Sequence, residues 1–255
     1  MVDADRLSHM ELTIVGCSGS FPGPESPSSC YLLEHDGHRI VLDMGNGSLG
    51  PLQSHTDIYD IQGVVLSHLH VDHFIDLASY YVALKYRPGG QQLPRVPVWG
   101  PADTATRLVS AYGLTSSDMA GELDVRTIQP SFDVGPFRIT TRRMRHPVES
   151  NAIRVEAGGR SVTYSGDTGP TDELVEFAAG TDVALFEASF LNDADNPRDL
   201  HLTGPEAAAL ADRAGAGRVI LTHLVPWHPV DQILAEARTV RPDVIAARQG
   251  LIVDI

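Results

Sequence analysis

Cysteine is nearly absent from this chain. Only Cys17 and Cys30 carry thiols among 255 residues. One pair in so long a chain is no disulfide framework, so a packed core must hold the fold, and reduced thiols are expected. Long apolar runs are also missing, and none approaches the ~20 residues that cross a bilayer as a helix. The opening Met1-Val2-Asp3-Ala4-Asp5-Arg6 lacks the apolar centre of a secretory signal. Residues 1–9 are expected to form a short disordered leader, and the compartment to be the cytoplasm. Positive charge is scarce too: 19 Lys and Arg face 33 Asp and Glu, a net charge of −14. An acidic surface repels polyanions, and extended nucleic acid wants a basic stripe. Neither extended nucleic acid nor a membrane is therefore expected as a partner. A small phosphorylated substrate stays open, because bound metal ions supply strong local positive charge.

What the chain does have is an ordinary globular composition, 42% hydrophobic and 20% charged, and eleven histidines. Residues 11–16 alternate as a strand. Strands at 31–34 and 39–43 flank Asp36-Gly37, a hairpin signal. The apolar run 63–66 predicts a buried strand, and residues 73–86 a helix stopped at Pro88-Gly89. A strand at 96–99 precedes a helix opened by Pro101 and running to about residue 112. Strands are expected at 122–128 and 136–145, and at 153–156 and 161–164 around Gly158-Gly159. Helix 171–179 leads to strand 183–186. Thr203 with Glu206 three residues on predicts a capping box for a helix reaching about residue 214. Strand 218–222, helix 230–240 and strands near 243–246 and 251–254 complete the chain. Strands and hairpins fill the first half, strands alternating with helices the second. No linker or repeat interrupts them, which predicts one domain over 10–255, with helices on the outer faces of sheets.

The densest chemistry lies in Ser67-His68-Leu69-His70-Val71-Asp72-His73, just after the strand at 63–66. His68 and His70 alternate with Leu69, so an extended backbone turns both imidazoles to one side. Asp72 and His73 follow and can reach a second ion nearby. Further ligands must come from elsewhere, and three candidates share one signature, a metal-binding side chain where a strand stops. His146 follows strand 136–145, Asp167 follows 161–164, and His223 follows 218–222. Loops at strand ends build sites on a rigid scaffold.

The order His-x-His-x-Asp-His, a later His, Ser-Gly-Asp-Thr and a final Thr-His resembles the metallo-β-lactamase superfamily over residues 12 to about 254. The resemblance implies an α/β fold, a four-layer αββα sandwich. It also implies that His68, His70 and His146 hold one ion, that Asp72, His73 and His223 hold a second, and that Asp167 bridges both. Imidazole and carboxylate donors without thiolate suit Zn²⁺ best and accommodate Mn²⁺ or Fe. Cys17 and Cys30 match no ligand position.

A second constellation narrows the reaction. Phe186-Glu187-Ala188-Ser189-Phe190, followed by His201-Leu202-Thr203-Gly204, resembles the paired Glu and His motifs of ribonuclease Z-like phosphodiesterases. There a His beside the metals, oriented by the Glu, assists the phosphoester leaving group, and Glu187 and His201 match those positions. Two features of ribonuclease Z are missing. No segment has the length and charge of its basic tRNA-gripping arm, and Pro22-Gly23-Pro24-Glu25-Ser26-Pro27 replaces its Pro/Lys/Arg/Asn loop. A tRNA 3′ endonuclease is therefore the second choice.

The chain more closely resembles small cyclic-nucleotide phosphodiesterases of the superfamily, the atypical class II enzymes. Gly16-Cys17-Ser18-Gly19-Ser20, His146-Pro147-Val148-Glu149-Ser150, Tyr164-Ser165-Gly166-Asp167-Thr168-Gly169 and Leu221-Thr222-His223 with Pro226-Trp227 carry the likeness, beside the motifs already given. It implies hydrolysis of 3′,5′-cyclic AMP, with cyclic GMP as a second substrate, to 5′-monophosphates, and a homodimer. In such a site the ions acidify a water and neutralise phosphoryl charge. Asp72 orients the nucleophile, and His201 is the general acid that Glu187 orients. A thioester or lactam hydrolase of the same fold would not need the Glu187–His201 pair, and a metal-binding regulatory protein would not turn over. Ser18 and Ser20 are candidate phosphate donors. Trp227, with His228, is a candidate wall for a base, and Asp76 a candidate support for a ligand histidine. Tyr80, Tyr81 and Tyr86 are expected in the core or an interface.

Overall fold

Alternation of apolar residues folds the start of the chain into a meander. In the computed structural model, which describes residues 9–89, 94–113, 115, 119–193 and 195–255, β1 (Met10–Gly16) pairs antiparallel with β2 (Cys30–His35), and β2 with β3 (His38–Leu42). Asp36 and Gly37 both take positive φ, 54° and 75°, as a two-residue hairpin turn demands. The sheet continues in parallel through β4 (Gly63–Val65), β5 (Val96–Gly100) and β6 (Leu123–Thr127), and β14 (Ile252–Asp254) covers the free edge of β1. A second sheet starts antiparallel with β7 (Ser131–Val134), β8 (Phe137–Arg143), β9 (Asn151–Ala157) and β10 (Arg160–Tyr164). It ends in parallel with β11 (Val183–Glu187), β12 (Arg218–Thr222) and β13 (Ile245–Ala246). Among the described residues the strands thus form two seven-stranded sheets.

The two-residue period of a strand decides the layers. Tyr31, Leu33, Ile40 and Leu42 enter the core shared with Ile153, Val155, Val183, Leu185 and Ile220 of the second sheet. Their neighbours Leu32, Val41 and Val64 join a separate cluster on the outer face. Phe74 of α2 (Val71–Phe74), Leu77, Tyr80 and Tyr81 of α3 (Asp76–Lys85) and Leu108 of α4 (Thr104–Tyr112) cover that face, with Leu52 of the short α1 (Leu49–Leu52). On the second sheet, Ala184, Phe186, Val219 and Leu221 turn outward. Against them pack Leu174 of α5 (Asp172–Phe177), Ala207, Ala208 and Ala211 of α6 (Gly204–Arg213), and Ile233 and Ala237 of α7 (Val230–Arg238). Helix, sheet, sheet, helix is the αββα sandwich expected from the sequence.

Several boundaries differ from expectation. The helix expected at 73–86 is two, α2 and α3, because Met44 clamps the junction. Its N–H donates to the His73 carbonyl (2.7 Å), and its own carbonyl accepts from Asp76 N (3.0 Å). Pro101 does not open α4. It supplies the carbonyl that receives Thr104 N (3.0 Å) and Thr104 Oγ1 (2.7 Å), and the helix begins there. β7, an edge strand, was not expected; Ser131-Phe132-Asp133-Val134 alternates, with Phe132 and Val134 toward the core, but the run is only four residues long. Tyr80 and Tyr81 are buried but Tyr86 is exposed. Cys17 and Cys30 are both free and buried. Residues 1–8 of the expected leader lie outside the described residues. His9 is tied to Asp254 (2.7 Å) and accepts through its carbonyl from His35 Nδ1 (2.9 Å). No described helix is long and apolar enough to cross a membrane.

The site follows from strand direction. β3 and β4 run parallel, as do β10, β11 and β12, so within each sheet the loops after these strands leave at the same end. After β11 the chain returns through α6, whose cap forms as the Thr203/Glu206 spacing predicts: Thr203 Oγ1 accepts from Glu206 N, and Glu206 accepts from Thr203 N. Thr203→Ala should lower folding stability by about 1 kcal/mol. Urea denaturation reads it, and an unchanged midpoint would show that the cap adds nothing.

Candidate metal centre

The Ser67–His73 segment follows β4 without helix as far as His70, whose ψ of 150° is extended, and only then turns into α2. His68 and His70 therefore precede the helix, and Asp72 and His73 lie in its first turn. Ligand-type atoms of His68, His70, His146 and Asp167 all lie within 4.8 Å of one another, and so do those of Asp72, His73 and His223. Asp167 sits between the two groups. One carboxylate oxygen is 3.6 Å from His68 Nε2 and 3.5 Å from His223 Nε2, and the other is 3.4 Å from His73 Nε2. The structure thus brings all seven expected residues together, from the loops after β4, β8, β10 and β12.

A consistent choice of nitrogen organises the histidines. His73 Nδ1–H donates to Asp43 (2.8 Å), His146 Nδ1–H to the Leu200 carbonyl (3.0 Å), and His68 Nδ1 lies 3.1 Å from Ser67 Oγ. His223 Nδ1 is 2.7 Å from Ser189 Oγ. These four rings turn Nε2 inward. His70 is the exception, with Nδ1 3.0 Å from His68 Nε2 and 3.3 Å from His146 Nε2. Hydrogen bonds of this kind, made to the ring nitrogen that faces away from the cluster, fix tautomer and ring orientation for metal binding.

The centre fits divalent cations on the structure's own terms. His73 Nε2 and Asp167 Oδ1 are buried side-chain atoms without a hydrogen-bond partner. Leaving each unpaired would cost about 1–3 kcal/mol. A cation between them satisfies both, and imidazole with carboxylate is a suitable donor set. Electrostatics agree. Burial holds the imidazoles of His68, His70 and His146 below the usual histidine range, against the pull of Asp167. Neutral imidazole keeps the lone pair that a metal needs. Burial works against charge on His73 as well, but Asp167, Asp72 and Asp43 outweigh it and raise its pKa. Burial would likewise neutralise Asp72 and Asp167. The histidines around them prevail and hold both below the usual carboxylate range.

Two residues without a motif support this shell. Asp43, fully buried after β3, accepts from Ser67 N (2.7 Å), Ser67 Oγ (2.7 Å) and Tyr164 OH (2.9 Å) besides His73. Its only sequence signal is a carboxylate ending an apolar strand. Gly19 lets the loop after β1 lie against His223, since a Cβ there would be 2.5 Å from the His223 carbonyl. The same loop donates Ser20 N–H to Asp72 Oδ2 (2.8 Å).

Glu187 and His201 adjoin the cluster. Glu187 is fully buried and accepts from His201 Nδ1 (2.8 Å), Thr168 N (2.9 Å) and Ser189 Oγ (2.9 Å). His201 Nδ1 lies 3.9 Å from Asp167 Oδ2. Burial disfavours charge on His201, yet the Glu187 carboxylate outweighs it and raises its pKa to about 9. Beside His201 opens a cavity of about 380 Å³ that includes Asn192, Asn196 and Arg198. Other expected contacts differ. Ser18 Oγ donates to Ser26 O (3.0 Å) and accepts from Gly23 N (3.2 Å), so both bonds stay in its own loop. Ser20 offers Asp72 its backbone rather than its hydroxyl. Asp76 supports no ligand histidine and instead accepts from Leu49 N (2.9 Å), tying α1 to α3. Trp227 is 64% exposed, its ring 5.0 Å from that of Phe21.

Comparison with known proteins agrees with this geometry. Residues 38–224 match the family model described as a beta-lactamase superfamily domain. An uncharacterized protein of Mycobacterium tuberculosis is 42% identical over 240 residues, 90% of this chain and 86% of that protein. The probable metallo-hydrolase YhfI of Bacillus subtilis is 30% identical over 95% of this chain and 99% of its own. The crystal structure of YhfI superposes with a TM-score of 0.86 at 28% identity, covering 97% of this chain and 100% of that one. Ribonuclease Z of Bradyrhizobium diazoefficiens is 26% identical, covering 91% and 95%. The chain belongs to the β-lactamase superfamily and is a metallo-hydrolase, with ribonuclease Z among the proteins it resembles.

Asp43→Ala leaves His73 Nδ1, Ser67 and Tyr164 without their common acceptor. We expect metal-free protein to lose about 3–5 kcal/mol of stability, as when one partner of a buried pair is removed. Urea denaturation of the metal-free variant decides, and a wild-type midpoint would remove Asp43 from the support of this centre.

Proposed function

We propose that this superfamily member is a two-metal phosphodiesterase that hydrolyses 3′,5′-cyclic nucleotides, cyclic AMP first and cyclic GMP second, to 5′-monophosphates. The strongest support is the pair of buried Glu187 and partly exposed His201 beside the His/Asp cluster. A thiolate leaves unaided, whereas the alkoxide of an unactivated phosphodiester needs a proton. A relative named as a ribonuclease supports the phosphodiester as the bond broken. The net charge of −14 and the cavity of about 380 Å³ at His201 favour a small substrate over tRNA. Trp227 and Phe21 offer exposed rings, in loops adjoining His223 and Ser20, on which a base can stack.

In this reading His68, His70 and His146 would hold one ion and Asp72, His73 and His223 a second, with Asp167 shared between the two groups. Zn²⁺ suits the donors best, with Mn²⁺ or Fe as alternatives. Divalent ions there supply Lewis acidity, which acidifies water and neutralises phosphoryl charge. Asp72 orients the attacking water through its carboxylate. As the P–O3′ bond breaks, His201 Nε2 gives a proton to O3′, while Glu187 holds the ring through Nδ1–H.

The test is product analysis after incubating metal-loaded protein with cyclic AMP, cyclic GMP, 2′,3′-cyclic nucleotides and precursor tRNA. Release of 5′-AMP is expected. Cleavage of precursor tRNA with cyclic nucleotides left intact would move the assignment to a tRNA 3′ endonuclease. His201→Ala should slow cyclic AMP hydrolysis by about 10²–10⁴-fold and keep its metals. A nitrophenyl phosphodiester, whose leaving group needs no proton, should recover most of that loss. A wild-type rate on cyclic AMP would end the general-acid role. Elemental analysis of Asp167→Ala should show fewer ions per chain, and retention of two would sink the bridging role.

A further inference from the structure

Resting on that reading of the site, we propose that Ser189 is a positioning residue that couples the metal ligand His223 to the Glu187–His201 pair. Ser189 is fully buried just beyond β11. Its Oγ is 2.7 Å from His223 Nδ1, 2.9 Å from Glu187 Oε2 and 3.1 Å from the His223 carbonyl. Glu187 and Ser189 are two residues apart on an extended segment, which puts both side chains on one side. The backbone there is fixed at both ends, Ala188 N donating to Thr222 O (2.9 Å) and Phe190 N to Leu202 O (3.0 Å). The hydroxyl is held where it is by β12 and by the segment that carries His201.

One hydroxyl has one proton; the His223 carbonyl is the more distant acceptor at 3.1 Å, and two arrangements use the shorter contacts. In the first, Ser189 donates to His223 Nδ1, and the imidazole proton sits on Nε2, facing Asp72 Oδ2 at 3.0 Å. A His223 in that state has no lone pair turned to the cluster. In the second, His223 Nδ1–H donates to Ser189 Oγ, and Ser189 donates onward to Glu187 Oε2. Nε2 then presents its lone pair, and the chain is continuous from His223 through Ser189 and Glu187 to His201 Nδ1–H. Glu187 Oε1 is already occupied by His201 and Thr168 N, so the hydroxyl reaches the carboxylate through Oε2. Occupancy of His223 by a metal selects the second state. It thereby sets a donor on Glu187 and holds the carboxylate that orients His201. No proton is gained or lost overall; one moves between the two nitrogens of His223.

Three measurements test this, two of them independent of turnover. In ¹⁵N-histidine spectra of zinc-loaded protein, His223 should carry its proton on Nδ1. A loaded His223 lacking that proton overturns the proposal, whatever any variant does. By chelator competition, Ser189→Ala should bind metal about 10–100-fold more weakly, with Ser189→Thr, which keeps the hydroxyl, near wild type. Equal affinity in Ser189→Ala, or equal loss in both variants, counts against the role. In kinetics, Ser189→Ala at saturating metal should lose more kcat on cyclic AMP than on a nitrophenyl phosphodiester. An equal loss on both substrates removes the coupling to His201. If wild-type protein cleaves no phosphodiester, the function proposed above fails, while the spectra and the metal affinities still decide the role of Ser189.

Discussion

Asp167 is a carboxylate with 1% exposure and an orphaned oxygen. An isolated buried charge is among the most expensive groups a fold can hold. It persists here only because His68, His73 and His223 surround it at 3.4–3.6 Å. Those three residues lie 155 positions apart in the chain at the extremes, so no local structure can assemble them. The parallel strands do so, β3 with β4 and β10 with β11 and β12, by delivering loop after loop to one end of each sheet. The shared apolar core then sets the two sheets against each other. Each feature of the sandwich can be read as what it takes to keep that carboxylate charged and surrounded.

The histidines add direction to charge. Imidazole has two nitrogens, and a ligand set works only if the right one is free. Asp43, Ser67, Ser189 and the Leu200 carbonyl each meet one Nδ1, which leaves four Nε2 atoms pointing inward. None of these partners bears on a cation itself. Three of those inward atoms meet a neighbour in the cluster: His68 Nε2 and His146 Nε2 lie 3.0 and 3.3 Å from His70 Nδ1, and His223 Nε2 lies 3.0 Å from Asp72 Oδ2. Lone-pair presentation is therefore a property of the scaffold, held by strand ends and short loops.

Much of this was legible in the sequence, and what was not shares one physical cause. The His-x-His-x-Asp-His spacing declares itself because its members are near in sequence and their side-chain directions follow from backbone period. His146, Asp167 and His223 were readable because each ends a recognisable strand. The Asp36-Gly37 turn and the Thr203/Glu206 cap are local chemistry and formed as expected. Asp43 was not legible, since its partners His73 and Tyr164 stand 30 and 121 residues away. Ser189 was only a letter in a motif until His223, 34 residues on, met its hydroxyl. β7 was missed because its alternation, Ser131-Phe132-Asp133-Val134, lasts only four residues. Asp76 drew attention by lying three residues after His73, and Ser18 as a hydroxyl in a loop rich in Gly and Ser, and their bonds go elsewhere. Hydrogen-bond hubs have no periodicity, so only the fold reveals them.

Glu187 presents the sharper question, because a metal centre does not require it. It is as buried as any ligand, yet His201, Thr168 and Ser189 supply its donors. Apolar residues of similar volume would serve the core at least as well as a buried ion pair. A carboxylate retained there has to do something that packing does not. Orienting His201 at the rim of the cluster answers that, since water activation alone leaves the departing oxygen unprotonated. On the proposed function, the site divides into a half that generates the nucleophile and a half that manages the leaving group. They approach each other at Asp167 Oδ2, 3.9 Å from His201, and at Ser189 Oγ, between His223 and Glu187, besides the His201 ring, 5.4 Å from that of His223. The first contact sets how closely the halves approach. The second is the one through which the protonation pattern of a ligand can reach the proton donor.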